Sequence, residues 1–384
     1  MLPAILKTIE ITATLCASGS VVYYLLCIWS AWKFVGMAIG PRKYAPPVSI
    51  LKPLKGREHG MYEALRSHCD QDYADYEIVF GVSEADDPAL ELVEQLRREF
   101  PEQQIRHIVC QQKLGTNLKV SNLVQMLPLA KYEHIVVNDA DIRVPADYLS
   151  RVMSPLADST AGLVTCLYRG IPSSGLGSYL ESLGISTDFA PGVLVSRQIE
   201  GGLNFGLGST LALRKKDLLV AGGFEKLLDF LADDYELGRM IKQNGQKVLL
   251  SDCVVQTSIA DYNWRQFFEH QLRWSRTIRD ARPWGYLGFG VTFGLWWALL
   301  ASILSGNDVW PWMLLISIAA LRGIVALFVG VRVLKDSSVL KCAFLIPIRD
   351  IVAFWIWVAG WFGNRITWRG QKFVLRHGRL VRTG

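Results

Sequence analysis

Residues 11–32, ITATLCASGSVVYYLLCIWSAW, carry no charged side chain. At about 1.5 Å of rise per residue, a helix over this stretch reaches across the ~30 Å of a bilayer's hydrocarbon. No water is present there to pair backbone N–H and C=O groups, so a spanning segment that is not part of a barrel must be helical. A cleaved signal peptide has a shorter apolar core followed by an A-x-A-like site, whereas Lys33, Arg42 and Lys43 follow here. The segment reads as an uncleaved anchor. The basic residues place its C-terminal side, and the chain after it, in the cytosol.

The chain turns apolar again from Gly285. Residues 285–305 and 312–334 read as two spans, the second interrupted by Arg322 and Arg332, and residues 337–363 form a third stretch broken by Pro347, Arg349 and Asp350. Beyond Asn364 come Arg365, Arg369, Lys372, Arg376, Arg379 and Arg382 with no acidic residue, a tail that belongs on the cytosolic side. Two full spans after a cytosolic domain return the chain to the cytosol, so the stretch 337–363 is expected to be re-entrant or interfacial. The divisions expected are an anchor over 1–45, a domain over 46–280 with an interfacial helix near 263–280, membrane segments over 281–364 and a basic cytosolic tail over 365–384. Such a chain suits an integral protein of a bacterial inner membrane.

Only 20% of the 384 residues are charged and 51% are hydrophobic, against about 25% charge in ordinary soluble domains. That balance, with 13 Trp, 13 Tyr and 16 Phe, excludes a disordered chain. The 7 cysteines form no Cys-x-x-Cys pair and no zinc spacing with the 6 histidines, which fits reduced thiols in the cytosol.

Between the apolar ends, short hydrophobic runs at 48–51, 77–82, 105–109, 134–138 and 162–166 read as strands, and 61–69, 89–100 and 117–127 have helical spacing. Alternating strand and helix predicts an α/β fold, a Rossmann-like, mostly parallel sheet covered on both faces. Ligands of such sheets bind at the carboxyl ends of the strands. In HIVVNDADIRV, a strand runs into Asp139 and Asp141. Paired carboxylates facing one cleft repel unless a cation sits between them, and Mg²⁺ or Mn²⁺ bridging phosphate oxygens is the common solution; a capping turn is the alternative. After the second strand, Asp87 before Pro88 can cap the next helix, while Asp86 fits a nucleotide contact. Asp233 and Asp234 precede an amphipathic helix, near the glycine turn at Gly222 and Gly223. A carboxylate there can act as general base toward an acceptor hydroxyl. The stretch FFEHQLRWSRTIRDARPWGYLG is either a helix lying on the membrane surface or a site in which Arg273 grips a diphosphate and Trp274 walls an acceptor pocket.

In their order along the chain, these groups resemble the inverting glycosyltransferases of the GT-A fold over about residues 46–280. The resemblance is closer to the ceramide glucosyltransferase family, including bacterial hopanoid-associated glycosyltransferases. PPVSILKPLKG at 46–56, DDPALEL at 86–92, GTNLKVSNL at 115–123, ADDYELGRMI at 232–241 and WRG at 368–370 all look like it. One departure is visible: His270 stands where Gln-x-x-Arg-Trp has Gln, which argues against a processive polymerase.

The resemblance implies a membrane-bound enzyme moving a sugar from a UDP-sugar, UDP-glucose above all, to the primary hydroxyl of a membrane lipid such as ceramide. Asp139 and Asp141 would hold Mg²⁺ or Mn²⁺, and Arg273 and Lys119 would add positive charge at the diphosphate. Asp87, with Asp86, would fix the uracil; Asp233 would join the nucleotide-sugar contacts, with Lys52 and Lys55 on the loop after the first strand. Asp234 would be the base. His270, Trp274, Arg349 and Asp350 would border the route of the acceptor, the alternative for Arg349 and Asp350 being a mutual ion pair. Transfer of N-acetylglucosamine from its UDP derivative to a hopanoid polyol is the nearest alternative. A haloacid-dehalogenase-type phosphohydrolase also places Asp-x-Asp after a strand, but it needs Thr or Val where this chain has Arg143. A non-catalytic membrane scaffold has no use for these acidic groups. Nucleic acid is not an expected partner.

Overall fold

The computed structural model describes residues 2–37, 43–368 and 370–382; Arg42 and Arg369 lie outside the described residues. The chain forms two compact units. One holds residues 38–173, 196–260 and 378–384, and the other residues 1–37, 174–195 and 261–377. The stretch 174–195, inside the span expected as one domain, thus packs with the apolar ends of the chain.

The first of these units is built on an eight-stranded sheet in the order β3-β2-β1-β4-β7-β6-β8-β5. Its strands are β1 (Val48–Pro53), β2 (Tyr76–Val82), β3 (Gln104–Val109), β4 (His134–Val137), β5 (Ile142–Arg143), β6 (Ala161–Ile171), β7 (Leu211–Arg214) and β8 (Lys247–Ser258). Every residue of β1, β2 and β4 is buried, as expected of parallel strands covered on both faces. β1 pairs in parallel with β2 and β4, β2 with β3, and β6 with β8. β7 runs antiparallel between β4 and β6. The α/β reading holds. β6 is longer than its apolar run predicted, and β7 and β8 were not foreseen: β7 is four residues long, and the apolar residues of β8 are split by Ser251 and Asp252.

This topology gathers the site. The carboxyl ends of β1, β2 and β4 share one edge of the sheet. Because β7 is antiparallel to β4, with Leu211 opposite Val137, the loop entering β7 comes to that edge too. β5 pairs antiparallel with β8, Ile142 opposite Thr257, which draws Asp141 to the end of β8. Lys52, expected on the loop after the first strand, is instead a fully buried residue of β1 itself.

The other unit is helical. Leu2–Val35, Trp310–Val333 and Ala343–Gly360 are long and apolar enough to cross a membrane. Pro283–Thr292 and Gly294–Leu304 reach that length only together, across a 57° bend, so the uninterrupted span expected over 285–305 is broken at Phe293. Helix Trp264–Ala281 opens with a reciprocal cap, Asn263 accepting from the Gln266 backbone and Gln266 from the Asn263 backbone. Helix Ile346–Gly360 runs beside it: Phe267 packs with Ile346, the Ser275 hydroxyl donates to Ile356 O at 3.3 Å, and Arg279 donates to Gly360 O at 2.6 Å. Hairpin strands Arg365–Trp368 and Gln371–Arg376 complete the described part of this unit.

Candidate active site

Asp139 follows β4 after the single residue Asn138. Its backbone N–H donates to Gly208 O at 3.3 Å, and its carbonyl accepts from Lys52 Nζ at 2.9 Å. Burying an ammonium removes its hydration; that burial lowers the Lys52 pKa to about 7, against the raising pull of Asp141 and Asp139. The neighbour of Lys52 is His68, whose Nε2 lies 3.5 Å from Nζ. His68 Nδ1 faces Ala64 O at 2.9 Å, and Nε2 faces Asn138 Oδ1 at 3.2 Å. Burial, then the Lys52 charge, holds His68 well below its ordinary range and therefore neutral.

Lys119 joins two of the acidic groups. Asn117 caps the helix Leu118–Met126 by accepting from Val120 N, and Lys119 in its first turn places Nζ 2.7 Å from Asp139 Oδ1 and 3.0 Å from Asp233 Oδ2. Burial opposes the Lys119 charge, but Asp139, Asp233 and Asp234 outweigh it and raise its pKa. Asp233 is buried and also faces Asn117 Nδ2 at 3.4 Å.

Asp234 is held by backbone N–H groups: Oδ2 accepts from Gly208 N at 2.6 Å and Oδ1 from Tyr235 N at 2.8 Å. Burial, then the adjacent Asp233, lifts its pKa to about 6. Gly208 therefore touches both acidic groups, and a Cβ there would lie 2.7 Å from Asp139 Oδ2 and 3.2 Å from Asp234 Oδ2. The segment Asp229–Asp234 is clasped from two sides. Asp229 Oδ1 accepts from Thr116 N and Oγ1 at 3.0 and 2.7 Å. On the far side, Leu231 N donates to Gly378 O at 3.1 Å and Leu380 N to Asp229 O at 2.7 Å.

Asp141 accepts a hydrogen bond from Thr257 Oγ1, and its pKa is raised to about 6 by burial and then by Asp139. Among the described residues, no three His, Cys, Asp or Glu side chains converge on a point that could hold a metal ion. Mg²⁺, however, is commonly bound by one or two carboxylates with substrate phosphates completing the shell. Hard oxygen donors on Asp139 and Asp141, the latter's charge disfavoured by the former's, fit such an ion.

Asp87 accepts from Gly56 N at 2.9 Å and Ala89 N at 2.9 Å through Oδ1. The carboxylate ties the loop after β1 to the start of helix Ala89–Glu99; Asp86 beside it is exposed, as is Lys55.

The remaining candidates belong to the helical unit. His270 Nδ1 lies 3.0 Å from Glu181 Oε2, which also accepts from Gln271 Nε2 at 3.2 Å. The His270 ring lies 5.1 Å from the ring of half-buried Trp274; Arg273 is likewise half-buried. Arg349 and Asp350 do not pair with each other, because successive residues on a helix point apart. Asp350 pairs with Arg322, in two bonds of 2.9 and 2.7 Å. Arg322 also donates to Thr187 O at 2.8 Å and Asp188 Oδ1 at 2.6 Å. The Thr187 carbonyl is available because its i+4 residue is Pro191, which has no N–H. Sequence reasoning noted Arg322 only as an interruption. Its partners, like Gly208, Thr257 and Asp188, carry no motif; an ionisable residue inside an apolar stretch was the one available signal.

A mostly parallel α/β sheet with a mixed, curled far side and strand-end carboxylates is the GT-A glycosyltransferase fold. It is shared with a mannosyltransferase from Pyrobaculum calidifontis solved with GDP-Man and Mn²⁺, at TM-score 0.52 and 18% identity over 92% of each chain. The family is glycosyl transferase family 21, whose profile matches residues 12–381, and the chain belongs to it. Ceramide glucosyltransferases 1 and 3 of Caenorhabditis elegans are each 24% identical, over 90% and 88% of this chain and 75% and 74% of theirs. The ceramide glucosyltransferase of Komagataella phaffii is 33% identical over 28% of this chain and 22% of its own. The chain is thus a glycosyltransferase carrying helices able to span a membrane.

Proposed function

We propose that this glycosyltransferase moves glucose from UDP-glucose to the primary hydroxyl of a neutral membrane lipid such as ceramide, in one displacement that inverts the anomeric carbon. The observation that carries the proposal is the convergence of Lys119, Asp139, Asp233 and Asp234 on one sheet edge, in a family 21 chain whose relatives are ceramide glucosyltransferases.

Asp234 is the base. Two backbone N–H groups fix its carboxylate and leave each oxygen a lone pair for the acceptor's proton. A pKa near 6 keeps it ionised at neutral pH yet more basic than an exposed aspartate, which suits proton abstraction. Lys119, steered by Asp139 and Asp233, presents positive charge where the diphosphate departs, and Arg273 adds to it. Asp139 and Asp141 would hold Mg²⁺ or Mn²⁺, which supplies charge neutralisation at the leaving diphosphate. Asp86 and Asp87 flank the uracil, with Asp87 also shaping the loop that bears Lys55. His270, Trp274, Arg349 and Asp350 border the acceptor's route.

The domain faces the cytosol of a bacterial inner membrane in this reading. Helix Leu2–Val35 crosses inward, the bent pair and Trp310–Val333 go out and return, and the stretch 337–363, which holds Ile346–Gly360, is re-entrant or interfacial. The basic tail then remains cytosolic.

The test is transfer by purified protein in lipid nanodiscs, with radiolabelled UDP-glucose, UDP-N-acetylglucosamine and GDP-mannose against ceramide, a hopanoid polyol and diacylglycerol. Glucosylated ceramide is the expected product. Transfer of N-acetylglucosamine to the hopanoid alone overturns the donor and acceptor assignment, and sugar release without lipid product overturns the whole reading.

A further inference from the structure

In the helical unit, Arg322 is saturated: it donates to Asp350, Thr187 and Asp188 and is 2% exposed. Its neighbours are not. Arg349 is 8% exposed, and its Nη2 stands 3.5 Å from Asp188 Oδ2. Yet Arg349 Nε, Arg349 Nη1 and Asp188 Oδ2 are buried atoms without a hydrogen-bond partner. Buried polar atoms in folded proteins are almost always paired, and each exception needs a reason. Here two orphaned donors lie beside one orphaned acceptor.

The surroundings make a cradle. A Cβ at Gly184 would fall 2.5 Å from both Arg349 Nε and Nη2, so the guanidinium rests against a helix that offers no side chain at that point. The Asp188 side chain as a whole is 21% exposed, while the orphaned atoms themselves lie just beneath the surface, buried. The formal charges balance, Arg322 and Arg349 against Asp188 and Asp350. A phosphate brought to Arg349 would be repelled by two carboxylates; a neutral group would not.

We propose that Asp188 and Arg349, over Gly184, form a binding site for a neutral polar group of the acceptor lipid that both donates and accepts a hydrogen bond. A hydroxyl or secondary amide of this kind is distinct from the hydroxyl that receives the sugar. Its hydrogen is given to Asp188 Oδ2 and its oxygen accepts from Arg349. The inference rests on the reading of the chain as a lipid glycosyltransferase and adds a specificity determinant to it. Arg322 and Asp350 form the fixed wall of the site, and Asp188 and Arg349 are its recognition pair.

The test compares kcat/KM for three synthetic acceptors in phosphatidylcholine nanodiscs: a ceramide, its secondary O-methyl ether and its N-methyl amide. The full chain should discriminate against at least one analogue by about tenfold or more, as sites built to bond a substrate's polar group do. Asp188→Asn and Arg349→Gln should reduce that ratio to within about twofold while leaving KM for the UDP-sugar unchanged. Gly184→Ala, which removes no polar group but crowds the guanidinium, should move the ratio in the same direction. Equal use of all three lipids by the unaltered chain overturns the proposal, as does full discrimination by the folded variants. Should both polar variants fail to fold, the ratio in Gly184→Ala decides alone, and an unchanged ratio overturns the site. Absence of transfer from any UDP-sugar to any lipid is a different outcome, one that removes the functional reading instead.

Discussion

Gly208→Ala is the most demanding perturbation of the site, because it adds one methyl group and removes nothing. Gly208 N holds Asp234 Oδ2 at 2.6 Å, and Gly208 O accepts from Asp139 N at 3.3 Å. The new Cβ would lie 2.7 Å from Asp139 Oδ2, whereas a comfortable carbon–oxygen contact needs about 3.3 Å, so the carboxylate must retreat by roughly 0.6 Å. The Asp139 side chain is 42% exposed and can swing away, so the fold should lose less than about 1 kcal/mol. The movement drags on Lys119, which Asp139 shares with Asp233, and crowds Asp234 at 3.2 Å. Misplacement of catalytic groups by about 1 Å can cost ~10²-fold, so kcat should fall about ten- to a hundredfold. The assay is initial-rate transfer in nanodiscs at saturating donor and lipid, with thermal unfolding measured on the same preparations. A kcat within twofold of the unaltered chain refutes the claim that this loop sets the carboxylates, and a loss that merely tracks unfolding refutes it equally.

Asp234→Asn should keep UDP-sugar binding by calorimetry within a few-fold and lower kcat by ~10²–10⁴; more than a tenth of normal turnover rules Asp234 out as base. In the unaltered chain, kcat should fall as pH drops through about 6, where Asp234 takes up its proton, and a flat profile from pH 7 to 5 contradicts this. Lys52 has its folded pKa lowered from 10.5 to about 7 by burial, so the unfolded chain binds the extra proton and stability should rise with pH across that window. Lys52→Met should abolish that rise, seen as pH-independent melting between 7 and 9; identical slopes in both proteins argue against a buried, neutralising lysine. Ending the chain after His377 removes Gly378 and Leu380, which bond Leu231 and Asp229, and should cut kcat at least tenfold without changing membrane extraction. EDTA should abolish transfer and added Mn²⁺ or Mg²⁺ restore it; full activity in chelator rejects the metal reading of Asp139 and Asp141.

Much of this was legible in the sequence, and for local reasons. An uncharged stretch the length of a bilayer must be helix, and apolar runs alternating with helical spacing must form a covered parallel sheet. The position of Asp139 after a strand places it at a carboxyl edge whatever the strand order. The carboxylates Asp139, Asp233 and Asp234, and Lys119, were all visible one at a time.

What tertiary structure alone decided is which of these groups meet and on what terms. β7 carries no long apolar run, yet its antiparallel insertion beside β4 brings Gly208 between two acidic groups some seventy and thirty residues away in sequence order. Lys52 looks like a loop lysine beside prolines and lies instead in a buried strand against Asp139. The pairing of Asp350 with Arg322 joins helices distant along the chain. Hydrophobic periodicity depends on neighbours a few residues apart, so a sequence records it. The partner of a buried charge is chosen by desolvation and geometry after the chain has closed on itself, and no local pattern specifies it.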